Sequence, residues 1–185
     1  MAFEPLLERM PTSKPPVLRE SRVLTFSAPR PDGSYAIDWD ATFTVGESAI
    51  TLERTPPSGT SGGYAGLSLR FPKGTTGWKF LTSEGADRAA KGNGKPARWV
   101  DFHGPLKSGA TAGIAVFDHP ANPRHPTRWY LNEGHPYFSP ALIYEDPLTL
   151  KPGATLRLRY RVMVHEGPGD KSKLDNEFND FTKAP

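Results

Sequence analysis

The sequence predicts an all-β fold, an antiparallel β-sandwich with a short C-terminal helix, and three observations carry the prediction. First, 20 prolines and 18 glycines among 185 residues punctuate the chain too densely for long helices. Second, two stretches, Tyr35–Val45 and Thr155–His165, alternate apolar and polar side chains at period two. That is the pattern of a half-buried antiparallel strand. Third, Leu174, Phe178 and Phe181 recur at i, i+4 and i+7, a helical spacing, inside Lys173–Thr182. At roughly 150 residues per domain the chain is expected to be one domain. Such a domain buries about 70% of the surface its unfolded chain exposes. Its expected parts are a Pro-rich lead-in over 1–20, a sandwich over 21–167 and a helical tail over 168–185.

The elements follow in order. Residues 1–20 carry one small apolar cluster, Leu6, Leu7 and Met10, and read as partly helical or irregular. In Tyr35–Val45 one face holds Tyr35, Ile37, Trp39, Ala41, Phe43 and Val45, and the other Asp38, Asp40, Thr42 and Thr44. Pro31-Asp32-Gly33 is turn chemistry, so Val23–Ala28 and Tyr35–Val45 are expected to form a hairpin. Gly46-Glu47-Ser48 turns the chain into a strand at Ala49–Arg54. Pro56–Gly63 reads as a surface loop, although its glycines could approach a ligand. Strands follow at Tyr64–Phe71 and Trp78–Thr82, and 84–96 is a polar excursion without hydrophobic period. Ala97–Gly104 and Gly113–Asp118 make a second hairpin. A turn near Lys107–Ser108 sets Trp99 opposite Phe117 and Arg98 opposite Asp118. Lys151-Pro152-Gly153 enters the last strand, where Leu156, Leu158, Tyr160, Val162 and Val164 alternate with Arg157, Arg159, Arg161, Met163 and His165. In all, about nine short strands fit a sandwich.

Composition removes several function classes. The absence of cysteine excludes disulfides, thiolate metal sites and cysteine nucleophiles. Twenty-three basic residues interspersed with 20 acidic ones, for a net charge of +3, lack the stripe of a nucleic-acid binder. No apolar run approaches the roughly 20 residues of a membrane span. The opening MAFEPLLERMPTSKPP has acidic residues and prolines where a signal peptide needs a basic start and an apolar stretch. The chain as written therefore reads as cytoplasmic. No Ser-His-Asp order, phosphate loop or dinucleotide fingerprint occurs, so no cofactor is expected.

Candidate chemistry concentrates between residues 103 and 135, which hold His103, His119, His125 and His135, four of the five histidines. Prolines at 120, 123 and 126 favour an extended polyproline path for 118–129. On such a path His119 and His125 lie about 18 Å apart at ~3.1 Å per residue. They would not share a metal ion, and no metal site is expected. Trp99, Asp101 and His103 fall on one strand face. That face could offer an aromatic platform with a carboxylate and an imidazole, the groups that stack on sugar rings, bind hydroxyls and move protons. The structural alternative is an Asp–His pair orienting a core tryptophan, with the loop histidines and arginines bonding loop carbonyls. The Arg157/Arg159/Arg161 ladder could meet anions or form a solvent face. Glu145-Asp146 before a proline reads as turn chemistry.

The segments WVDFHGP (99–105), GIAVFDHPANPRHPTRW (113–129) and YFSPALIYEDPLTLKPGATLRLRYRVMVHEG (137–167) resemble a bacterial PmoA-like family labelled "methane oxygenase PmoA". GGYAGLSLR (62–70) and DGSYAIDWDATFT (32–44) fit it as well, so the likeness spans about residues 20–167. The label itself is not carried over, since a membrane methane oxygenase needs spanning helices. The resemblance implies a soluble sandwich similar to part of the galactose-mutarotase-like supersandwich, and contexts of sugar metabolism. By that resemblance a carbohydrate is the partner, with His119 or His125 as acid/base and Asp101 or Asp118 as carboxylate. His103, Arg124, Arg128, Trp129 and Trp99 would hold the substrate. Three readings stay open: an epimerase, mutarotase or hydrolase-like enzyme, a non-catalytic glycan-binding module, and an interaction domain in which 118–129 is an inter-sheet clasp. Longer members of the family carry an N-terminal half with its own histidine-rich stretch. Its counterpart is expected to be missing here or replaced by a homo-oligomer, because no histidine precedes His103.

Overall fold

Strand pairing in this chain is set by its two long alternating segments. A computed structural model describes residues 15–54, 62–63, 66–72, 75 and 77–183. The Leu6/Leu7/Met10 cluster, most of the 56–63 loop and the start of the Tyr64–Phe71 segment lie outside the described residues. Leu18–Phe26 (β1) and Tyr35–Val45 (β2) form the expected hairpin, with Leu24 opposite Trp39. Gly33, at φ 78°, takes the left-handed position its turn requires. β1 starts five residues earlier than the sequence suggests, because β2 offers a partner as far along as Val45.

Ile50–Leu52 (β3), Leu69–Arg70 (β4) and Lys79–Thr82 (β5) follow. The polar excursion contains one helical turn, Ala89–Gly92 (α1). Trp99–Pro105 (β6) and Thr111–Asp118 (β7) pair in the expected register, Trp99 opposite Phe117. Trp129–Asn132 (β8), Tyr137–Pro140 (β9) and Leu148–Leu150 (β10) are strands the alternation is too short to reveal. Thr155–Glu166 (β11) and the helix Lys171–Lys183 (α2) complete the chain.

A six-stranded antiparallel sheet, in the order β1-β2-β11-β7-β6-β5, is faced by a three-stranded sheet, β4-β9-β8, and by the pair β10-β3. Its inner face, with Trp39, Val100, Phe102, Val116, Leu158 and Tyr160, packs on Trp129, Leu131, Phe138 and Leu142. The fold is thus all-β and sandwich-like, with the short C-terminal helix in place. The outer face carries Trp99, Ala115, Phe117 and Met163 beneath Leu174, Phe178 and Phe181 of α2. Full burial of side chains of this size contributes about 1.5–3 kcal/mol each. Toward the β1 edge the same face is partly solvated, with Arg157 exposed and Arg161 tucked against Phe181. There Arg157 meets Asp40 (2.9 and 2.6 Å) and Arg161 meets Asp38 (2.6 and 2.8 Å) in two-pronged ion pairs. The arginine ladder is therefore a charge-paired sheet face.

Candidate functional site

The outer face holds one compact titratable cluster. Asp101 is fully buried, and its two carboxylate oxygens take His103 Nδ1 at 2.7 Å and His165 Nε2 at 3.0 Å. Burial opposes ionisation of Asp101, but the hydrogen bonds from His103 and His165 outweigh it and keep the carboxyl below its ordinary pKa. His165 also places Nδ1 at 3.3 Å from the Glu166 carbonyl. Only the imidazolium donates from both nitrogens. Burial disfavours that cation, yet the Asp101 hydrogen bond and charge raise the His165 pKa. Glycines make room for the cluster. A Cβ on Gly113 would overlap the His165 ring, and one on Gly169 would overlap the Asp101 carboxylate. The backbone before α2 therefore lies directly over Asp101.

A second buried carboxylate ends β7. Asp118 accepts from Asn122 Nδ2 (2.8 Å), His125 Nδ1 (2.7 Å) and the Thr127 amide (2.9 Å). Asn122 also bonds the backbone of Arg159 in both directions, each at 2.7 Å. These bonds replace the extended path expected for 118–129. The Asn122 amide reaches the His119 carbonyl and the His125 amide reaches Asn122, which makes two consecutive turns. Arg124 sits at φ 63° and the His125–Pro126 peptide is cis. The polyproline expectation fails because Asp118 and Asn122 satisfy the loop's polar groups internally. As a result both histidines reach α2. His125 stacks on Phe178 at 6.1 Å between ring centres, and His119 sets its edge to Phe181 at 5.1 Å. His119 Nδ1 accepts from the Ala121 amide at 3.0 Å, and its Nε2 lies 3.2 Å from Arg159 Nη1. Burial, then the Arg159 charge, lower its pKa, which suits a neutral ring and disfavours an acid.

The remaining expected site residues are structural in their contacts. Trp99 and Trp129 are fully buried, so neither offers a face for stacking, and the aromatic-platform expectation is corrected. Trp99 Nε1 donates to Asp175 of α2 at 2.9 Å, and Trp129 Nε1 donates to the Ala97 carbonyl at 2.8 Å. Arg124 donates to the carbonyls of Leu142, Asp146 and Pro147 at 2.6–2.8 Å. Arg128 donates to the Gly94 carbonyl at 2.7 Å and pairs with Glu145. The structure thus brings Asp101 together with His103, and Asp118 together with His125, in separate networks. It does not set a histidine and a carboxylate across an open ring-sized space. Sequence reasoning missed His165. Its alternation phase places it beside Arg161 and Met163, but no sequence signal sets the β11–β7 register.

One open concavity adjoins the loop. A cleft of about 280 Å³ is lined by Arg124, Pro126, Thr127, Arg128, Tyr144, Glu145 and Asp146. Glu145 and Asp146, read from sequence as turn residues, are exposed in its wall. A second cleft of the same size lies beside α1, lined by Glu84, Lys91 and Lys95 among others. It contains none of the expected site residues.

A model described as a family of unknown function, DUF6807, matches residues 6–179. The chain belongs to this family. No curated protein and no solved structure matches it, and nothing links DUF6807 to PmoA. Among the described residues of this DUF6807 chain, no group of three or more histidine, aspartate or glutamate side chains is arranged to hold a metal ion. No described helix is long and apolar enough to cross a membrane.

The two networks can orient imidazoles, as carboxylates do in catalytic triads. Gly169 lies over Asp101 and Phe178 stacks on His125, so both networks also seat the C-terminal segment. The cleft beside the loop is open to solvent. It offers guanidinium donors, carboxylate and carbonyl acceptors, and a lining whose two arginines balance its two carboxylates.

Proposed function

We propose that this chain binds an uncharged polyhydroxylated small molecule, a carbohydrate, in the Arg124/Arg128/Glu145/Asp146 cleft, without chemical turnover. The carrying observation is the charge-balanced, donor-and-acceptor lining of that cleft. A net-neutral wall gives no advantage to an anion, and carboxylates and carbonyls accept from hydroxyls. At about 280 Å³ the cleft falls just below the roughly 300–1,000 Å³ of small-molecule sites, which suits one sugar ring. The sugar-metabolism context implied by the resemblance points the same way. The non-catalytic part rests on Asp101 and Asp118, both fully buried beside α2 and its preceding turn.

The test is NMR of a panel of mono- and disaccharides with purified protein, following binding, anomer exchange and bond cleavage together. Saturable binding of at least one sugar is expected, with neither reaction above the protein-free blank. Glu145→Gln with Asp146→Asn is expected to weaken binding tenfold or more, whereas His119→Ala with His125→Ala leaves it intact in folded protein. Absence of saturable binding across the panel would overturn the proposal, and histidine-dependent anomer exchange or cleavage would overturn its non-catalytic part.

A further inference from the structure

β1 is the outer strand of the six-stranded sheet, and among the described residues it pairs with β2 alone. Among the described residues the large exposed hydrophobics are Val17, Val23, Phe26 and Leu106, three of them on β1 or next to it. A nine-residue edge strand with exposed apolar side chains is a template for another strand.

Backbone parity shows which groups face outward. The Ser27 amide donates to the Ala36 carbonyl and the Val17 carbonyl accepts from Gly46, so odd-numbered residues bond β2. The amides and carbonyls of Leu18, Glu20, Arg22, Leu24 and Phe26 therefore point away from the sheet. A second copy of β1 running antiparallel must pair even residues with even residues.

One such register is self-complementary. Centred on Ser21, it sets Glu20 opposite Arg22 twice and Leu18 opposite Leu24 twice. Centred on Arg22, it would set like charges face to face, which is destabilising. Glu20 and Arg22 already meet within one strand, Arg22 Nε lying 2.6 Å from Glu20 Oε1, so the charges are positioned for exchange.

We propose that this chain forms a two-fold homodimer through β1–β1 pairing centred on Ser21, which joins two six-stranded sheets into one. The surface is separate from the carbohydrate cleft, and neither proposal depends on the other.

Sedimentation velocity over a concentration series provides the first test, with a dimer expected in the wild type. Arg22→Glu, which opposes carboxylates across the axis, is expected to weaken the dimer at least tenfold. Adding Glu20→Arg to that variant restores opposite charges in the same register and is expected to restore the dimer. Because the chain has no cysteine, Ser21→Cys introduces a single thiol. Across the axis it faces its own copy at about 4.5 Å between Cα atoms, the spacing of a non-hydrogen-bonded pair. Oxidation is expected to cross-link Ser21→Cys and to leave Thr25→Cys uncross-linked. A monomer at every concentration, or equal cross-linking of the two variants, would overturn the proposal.

Discussion

Asp101 and Asp118 are both fully buried. Hydrogen bonds from His103, two residues away, and His165, 64 residues away, hold Asp101 below its ordinary pKa against the pull of burial. Asp118→Ala would leave Asn122 Nδ2, His125 Nδ1 and the Thr127 amide without their acceptor. Each buried donor left unsatisfied costs about 1–3 kcal/mol, measurable as a lowered urea midpoint. The two perturbed histidines predict opposite pH limbs. His165 has a folded pKa above the ordinary value near 6.5, so its contribution is full below about 6.5 and is lost as pH rises through the folded value. His119 has a folded pKa below that value, so its contribution is full above about 6.5 and is lost as pH falls through its own folded value. Stability from this pair therefore peaks near pH 6.5. In denaturation followed from pH 4.5 to 9, His165→Gln is expected to flatten the alkaline fall and His119→Gln the acid fall. An unchanged profile in either variant would contradict the assigned protonation states. At this scale Asp101 with His103 was legible by alternation, whereas the extended path expected of the 118–129 loop hid Asp118 with His125. His165 was not legible either, because it reaches Asp101 across β7 from a strand 64 residues later.

Helix α2 decides what the outer face can do. Its apolar stripe was legible as i, i+4, i+7 spacing, but the surface it covers was not. A helix docks wherever a complementary apolar face remains, and Trp99, Phe117 and Met163 supply that face here. Asp175 fixes the docking by accepting from Trp99 Nε1 and Arg98 Nη2, both at 2.9 Å, and from Lys171 at 2.7 Å. Phe178→Ala removes a ring packed on His125 and faced by Arg98, and is expected to cost about 3–5 kcal/mol in denaturant unfolding. Gly113→Ala tests the space beneath the histidines. Its methyl group would displace His165 from Asp101, costing about 1–3 kcal/mol as overpacking and flattening the alkaline limb as His165→Gln does. Retention of that limb in Gly113→Ala would show that His165 does not depend on the glycine. The loop from His119 to Pro126 was misjudged from its proline spacing. Asn122 pairs with the Arg159 backbone and imposes turns that proline spacing alone does not announce.

At the scale of the whole molecule, the sandwich was readable from β2 and β11 because each alternates apolar and polar side chains along nearly its full length. β8, β9 and β10 escaped notice because three or four residues cannot display a period. The candidate chemistry shifts accordingly. Asp101, Asp118, Asn122, His125, Trp99 and Trp129 hold the sheets, the loop and the helix together. The solvent-facing cleft borrows Arg124 and Arg128 from the expected site residues and adds Glu145 and Asp146, which looked like ordinary turn residues. The two carboxylates that could serve acid–base chemistry are the two most deeply enclosed. Amide chemical-shift mapping, with the tightest-binding sugar titrated into labelled protein, tests this division most directly. The shifts are predicted to cluster at Thr127, Arg128, Tyr144, Glu145 and Asp146. Shifts centred instead on His103, His125 and the α2 residues Phe178 and Phe181 would contradict it.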